Sequence, residues 1–189
     1  MGQKGADTRQ RIREKAVSLF AERGFQAVTM KDICQACGLS RGGLYRHYSS
    51  TQDIFQEILE ETAGTDDVEI RRRITRGDSA AAIFEDQMKK IKQEMLDGDT
   101  SLSYAIYEYS LVCSSAYVEA LHQKGREKWR MLLEYGMERG EFNGINTDQM
   151  TDIILYVYQG VRMWSRVMKL DEQTAENLIL KIKQDVIKK

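Results

Sequence analysis

The stretch VTMKDICQACGLSRGGLYRHY, residues 28–48, decides the fold. Thr29 is followed three residues later by Asp32, the spacing of a capping box, in which two side chains satisfy backbone N–H groups at a helix start. Ile33, Cys34 and Cys37 then fall on one face of a short helix. Gly38-Leu39-Ser40 interrupts it, and Ser40 is a good N-cap for a second helix over residues 41–48. Two short helices joined by a glycine-containing turn form a helix-turn-helix, whose second helix lies in the major groove of DNA. Leu44 is its core-facing residue. Arg41, Gly42, Gly43, Tyr45, Arg46 and His47 are left for the reading surface. An arginine can take guanine O6 and N7 as a bidentate pair. A plain helical hairpin with solvated charges is the alternative, but it gives no reason for two glycines that lower helix propensity.

Outward from this core the chain reads as helix throughout. Residues 7–23 place Ile12, Ala16, Leu19 and Phe20 on one stripe, and Gly24 supplies a left-handed stop. Ser50-Thr51-Gln52-Asp53 repeats the capping signature and opens a helix with Ile54, Phe55, Ile58 and Leu59 on its apolar face, expected to end near Gly64. Further helices are expected over 79–96, 102–113, 115–139, 147–168 and 174–187, with breaks at 97–99, 140–144 and 171–173. No window alternates apolar with polar residues, and none of the 189 residues is proline. The expectation is an all-α fold.

Charge is unevenly spread. Nine basic residues against four acidic ones give residues 1–52 a net +5, which leaves −6 for the rest of a chain whose total is −1. A basic head on an acidic body fits a protein that meets phosphate only with its head. No segment approaches the ~18 continuous apolar residues of a membrane span. The opening residues carry no charged-then-apolar leader, and three cysteines suggest no disulfide framework. A cytoplasmic protein with no membrane partner is expected.

From Arg9 to about Leu59 the chain resembles the DNA-binding domain of the TetR family of regulators. The residues that carry the likeness are SLFAERGF at 18–25, TMKDICQACGLS at 29–40, RGGLYRHY at 41–48 and the opening of the next helix. The resemblance implies an N-terminal three-helix helix-turn-helix domain, residues 1–50, and a C-terminal helical domain, residues 51–189, for effector binding and dimerisation. It implies a homodimer that binds double-stranded DNA at a palindromic operator and is released by a small molecule. It assigns phosphate contacts to Thr29, Ser40, Tyr45 and His47, and base or groove contacts to Arg41, Gly42 and Arg46. The family commonly has lysines just after the reading helix. Here Ser49 and Thr51 stand there, which shifts weight to Arg46 and to the basic N-terminal arm.

Other features admit two readings. Cys34 and Cys37 are either a redox pair or half a metal site, or two small residues on a buried helix face. The family usually has alanine at both, which favours burial. Ten of the sixteen aromatics lie within residues 104–168. Tyr104, Tyr107, Glu108, Trp129, Tyr156, Arg162 and Met163 are the candidate effector contacts, against plain core packing. Glu108 with aromatic faces suits a cation, and Arg162 an anion. Val157, Val161, Trp164, Leu178 and Ile182 are the candidate dimer interface, as one side of a four-helix contact. No phosphate-cradling loop, nucleophile elbow or metal cluster is present in the sequence, so no cofactor, no metal and no catalysis are expected. The rivals are an effector-less DNA-binding regulator and a helical carrier or enzyme that only resembles the family.

Overall fold

The computed structural model describes residues 3–97, 101–164 and 167–188. Among these, nine helices follow one another: α1 (Gln3–Arg23), α2 (Met30–Cys37), α3 (Arg41–Tyr45), α4 (Thr51–Arg76), α5 (Ala80–Leu96), α6 (Ser103–Ser110), α7 (Ser115–Glu138), α8 (Thr147–Trp164) and α9 (Glu172–Val186). The described residues form no strand beyond an isolated antiparallel bridge between Phe142 and Ile187. The all-α expectation holds.

The chain divides into two compact units. One comprises Met1–Thr62 with Asp99–Cys113, the other Ala63–Gly98 with Ser114–Lys189. The first therefore keeps the opening turns of α4 and also takes in α6, where the sequence suggested a division at residue 50. Packing explains this. Ile54 and Phe55 of α4 are fully buried, as are Ile12, Phe20, Ile33 and Leu44. Tyr109 of α6 sets its ring 4.8 Å from Phe25 and 5.1 Å from Phe55, and Phe20 lies 4.8 Å from Phe55. Edge-to-face aromatic pairs contribute about 0.5–1.5 kcal/mol each beyond their buried area. A charged clip joins α1 to α4. Arg13 donates to Glu57 at 2.6 Å and to Glu61 at 2.7 Å, and Arg9 donates to Glu57 while lying over the Tyr48 ring.

In the second unit, Ile70, Ile83, Phe84, Met88, Trp129, Leu132, Leu133, Phe142, Ile154, Ile179 and Ile182 form one core. Phe142 packs flat over Gly136 of α7, where a Cβ would stand 2.1 Å from the ring. Asn143 bonds to α9 through both backbone and side chain. Its backbone N–H donates to Val186 O at 2.8 Å, and its side-chain amide donates to Asp185 O at 3.0 Å. This ties the 141–143 loop to the last turn of α9.

Several boundaries differ from expectation. α4 passes through Gly64, where no atom lies within 4 Å of a Cβ position, and stops only at Gly77 with φ +83°. One exposed glycine costs a helix about 1 kcal/mol, too little to end it. α3 stops at Tyr45 because His47 and Tyr48 N–H both turn back onto Leu44 O, at 2.8 and 3.1 Å. Asp97 caps the end of α5, and the rest of the expected 97–99 break lies outside the described residues. α8 ends at Trp164. α9 begins at Glu172 because Asp171 accepts from Thr174 N at 2.9 Å and so becomes its cap.

Candidate nucleic-acid interface

The two caps read from the sequence are both formed, but they leave different chemistry behind. Thr29 has extended backbone (φ −109°, ψ 161°) and a reciprocal capping box. Its Oγ1 accepts from Asp32 N at 3.3 Å and donates to Asp32 Oδ2 at 2.5 Å, while Thr29 N donates to the same carboxylate at 2.9 Å. The Thr29 hydroxyl holds the Asp32 carboxyl below its ordinary range, and that hydroxyl is already engaged on both sides. Ser40 Oγ accepts from Gly43 N at 3.1 Å, so its O–H is left to donate outward. Between them Gly38, at φ +62°, turns the chain and gives its N–H to Cys34 and Gln35 carbonyls. Only a residue without a Cβ enters that left-handed region at no steric expense.

α3 presents Arg41, Gly42 and Tyr45 to solvent, with its C-cap Arg46, and buries Leu44 completely. Tyr45 is 49% exposed. Among the described residues neither Arg41 nor Arg46 has an ion-pair partner. The two glycines are not alike. A Cβ at Gly43 would stand 3.2 Å from Ser40 Oγ, a tight contact against the cap. A Cβ at Gly42 would meet nothing within 4 Å. The fold does not account for Gly42. His47 is half-buried, with Nδ1 enclosed and no hydrogen-bond partner among the described residues. Ser49 and Ser50, which follow the reading helix, both donate to Asp53. They cap α4 and do not replace lysines. Lys31, exposed on α2 and without an ion pair among the described residues, was missed at the sequence level. Its signal was its place two residues after the Thr29 cap.

Charge grouped by folded unit differs from charge grouped by sequence window. The first unit has nine basic and ten acidic residues, a net −1, and the second unit is neutral. The basic head is therefore a matter of faces. Arg9 and Arg13 are tied to Glu57 and Glu61, and Arg23 lies 3.7 Å from Asp32 and 3.9 Å from Glu22. Burial alone would raise the Glu57 carboxyl, but the two arginines hold it below its usual range. Among the described residues Arg41, Arg46 and Lys31 have no such partner, and neither do exposed Arg11 and Lys15 on α1. The positive charge available to an external anion is therefore shared between the helix-turn-helix and α1.

Cys34 and Cys37 lie on the buried face of α2, and burial pushes the Cys37 thiol up. That is opposite to the lowered pKa of a reactive thiol. Among the described residues no third ligand joins them.

The effector candidates fall in both units. Tyr104, Tyr107 and Glu108 stand on α6 in the first, and Glu108 accepts from Gln26 N at 3.1 Å. In the second, Trp129 is 2% exposed within the core, its ring 6.1 Å from Phe84. Tyr156 and Met163 are exposed on α8. Arg162 donates to Tyr158 Oη, which donates to Glu94, with Arg162 and Glu94 3.5 Å apart. Burial pushes the Tyr158 phenol well up. Of the candidate interface residues, Ile182 belongs to the chain's own core. Val157 and Val161 pack against it, Leu178 is half-buried, and Trp164 is exposed. The exposed apolar residues of α8 are Ile153, Tyr156, Met163 and Trp164, of which Trp164 is a candidate interface residue, and Leu180 is open on α9. No described helix is long and apolar enough to cross a membrane.

Residues 12–58 match the family model described as bacterial regulatory proteins, tetR family. The chain is 29% identical over 142 residues to the uncharacterised HTH-type transcriptional regulator YfiR of Bacillus subtilis (strain 168), covering 71% of this chain and 67% of YfiR. It is 34% identical over 134 residues to the HTH-type transcriptional repressor KstR2 of Rhodococcus jostii (strain RHA1), covering 67% of this chain and 64% of KstR2. The matches thus span about two-thirds of these relatives' length. A solved TetR-family regulator from Agrobacterium tumefaciens superposes with a TM-score of 0.80 at 13% identity, over 97% of this chain and 100% of that one, which is a likeness of fold.

Proposed function

The chain belongs to the TetR family of DNA-binding transcriptional regulators, and from that premise we propose that it is a ligand-responsive repressor acting as a homodimer on a palindromic operator in the cytoplasm. The observation that carries the DNA-reading part is Gly42, an exposed helical glycine with open space at its Cβ, set between Arg41 and Arg46, neither of which has an ion-pair partner among the described residues. Such a position gives up helix stability and gains nothing inside the chain. Close approach of a duplex supplies the reason. Arg41 reads base edges; Arg46, Lys31, Tyr45, His47 and the Ser40 hydroxyl serve phosphates. Thr29 contributes through the helix start that it caps.

A second copy covers the α8–α9 face. Tyr156, Met163, Trp164 and Leu180 are its apolar anchors, and Gly160, also open at its Cβ, lets the partner helix come close. A two-fold arrangement places two reading helices roughly one helical turn of DNA apart, about 34–36 Å. The repressor sense rests on the name of the Rhodococcus relative. The effector is a small molecule held in the second unit, with the Glu94–Tyr158–Arg162 group as its polar anchor. Release follows by linkage, since a ligand that prefers the non-binding conformation weakens DNA affinity by the same coupling energy.

The deciding experiment is a gel shift on DNA upstream of the protein's own gene with a salt titration. A steep fall of affinity with salt supports phosphate-led binding. Arg41→Ala relaxes base preference, and Arg46→Ala weakens all sequences alike. Unchanged operator affinity in both would remove α3 from the interface.

A further inference from the structure

We infer that Glu108 is a positioning residue of the DNA-reading head: its carboxylate fixes the turn between α1 and α2 and thereby the stance of α2 and α3. This rests on the DNA-binding reading above. The turn is gripped at two successive residues by two successive residues of α6. Phe25 is held by the Tyr109 ring at 4.8 Å, and Gln26 N–H donates to Glu108 Oε2 at 3.1 Å. Gln26 is exposed, and water could satisfy its N–H. A carboxylate brought from 82 residues away does so instead.

Gly24 is shaped to the same contact. It has φ +83°, and a Cβ there would stand 2.4 Å from Glu108 Oε2 and 2.9 Å from Tyr104 Cε1. The glycine that ends α1 therefore also admits the carboxylate. From Gln26 only Ala27 and Val28 intervene before the Thr29 cap, and Val28 is buried with its N–H on Phe25 O. Little slack separates the Glu108 contact from the start of α2. A hydrogen bond to a charged acceptor is stronger than a neutral one. A small tilt of the reading helix lowers discrimination between bases far more than attraction to phosphate, because sequence is read only by directional contacts to base edges, whereas charge attraction falls off gently with distance.

The test uses the full chain and an operator fragment beside a random duplex. Glu108→Asp keeps the charge but shortens the reach. It should lower operator affinity about tenfold, leave random-duplex affinity within about twofold, and speed hydrogen exchange of the Gln26 amide about tenfold. Glu108→Gln, which can still accept from Gln26 N–H, should restore slow exchange and bring operator affinity to within about threefold of the parent. Equal losses on both duplexes with a lowered Tm would reduce Glu108 to a fold residue and overturn the proposal. Parent-like exchange and binding in Glu108→Asp would overturn it as well. If the parent binds no DNA, the functional reading fails, while the Gln26 exchange still decides whether Glu108 holds the turn.

Discussion

Gly42 on α3 and Gly160 on α8 are both exposed glycines inside helices, with nothing within 4 Å of a Cβ position. Their neighbours differ in kind. Around Gly42 stand Arg41, Tyr45 and Arg46; around Gly160, at helical spacings of three and four, stand Tyr156, Met163 and Trp164. Openness alone marks no contact, since exposed Gly64 inside α4 is equally free of neighbours at its Cβ. The residues beside the glycine carry the distinction. Exposed guanidinium groups with no ion-pair partner among the described residues call for a polyanion, and open aromatic and thioether side chains for an apolar protein face.

The sharpest way to break the contrast is to strip the charge from one side. Arg41→Ala with Arg46→Ala should cost about 1–3 kcal/mol per residue in operator binding and leave the dimer intact in analytical ultracentrifugation. Loss of the dimer instead would assign α3 the wrong partner. On the other side, Trp164→Glu should weaken self-association by about 2 kcal/mol or more, read as monomer at micromolar concentration. A variant that stays dimeric would move the interface off α8.

Filling the glycines sharpens the comparison further. Gly42→Ala should raise unfolding stability by up to about 1 kcal/mol and yet weaken operator binding. Gly160→Ala should stabilise the fold by a similar amount and weaken dimerisation. If either substitution raises stability with no loss of binding, its surface carries no close partner.

The smallest effect concerns acid. Glu141 would be raised by burial, but hydrogen bonds from Ala81 N, Arg139 and Ser79 bring it to about 2, and Arg76 and then Arg73 bring Asp78 to about 2. Both folded values are depressed, so their contribution is complete above the ordinary carboxylate range and is lost as pH falls from about 4.5 towards 2. Neither group belongs to α3 or to α8. Glu141→Gln should therefore flatten the acid limb of a Tm-against-pH curve while operator affinity at neutral pH stays put. A steep acid limb that survives the substitution would place the sensitivity elsewhere.

The reading head was legible because its signals are local. Thr29 to Asp32, Ser40 to Gly43 and the left-handed Gly24 and Gly38 each act within a few residues, and all four appear where their spacing puts them. What escaped detection depends on distant chain. Glu108 looked like an effector contact because nothing in its own helix reveals that Gln26 N–H will meet it. Val157 and Val161 share apolar character with Met163 and Trp164, and periodicity alone does not say which stripe of α8 turns inward. The net +5 of residues 1–52 dissolved once Glu57, Glu61 and α6 joined the same unit. Gly64 carried a stop signal too weak to act against the apolar residues that continue α4 beyond it.

Gly42 has a consequence for genetics. Alanine is one base change away from any glycine codon. A screen for cells that have lost regulation by this protein should recover that change, and the recovered protein should accumulate to normal or higher levels and outlast its parent on heating. Loss of function is usually taken as a sign of a damaged fold. At this position it would come from an improved one.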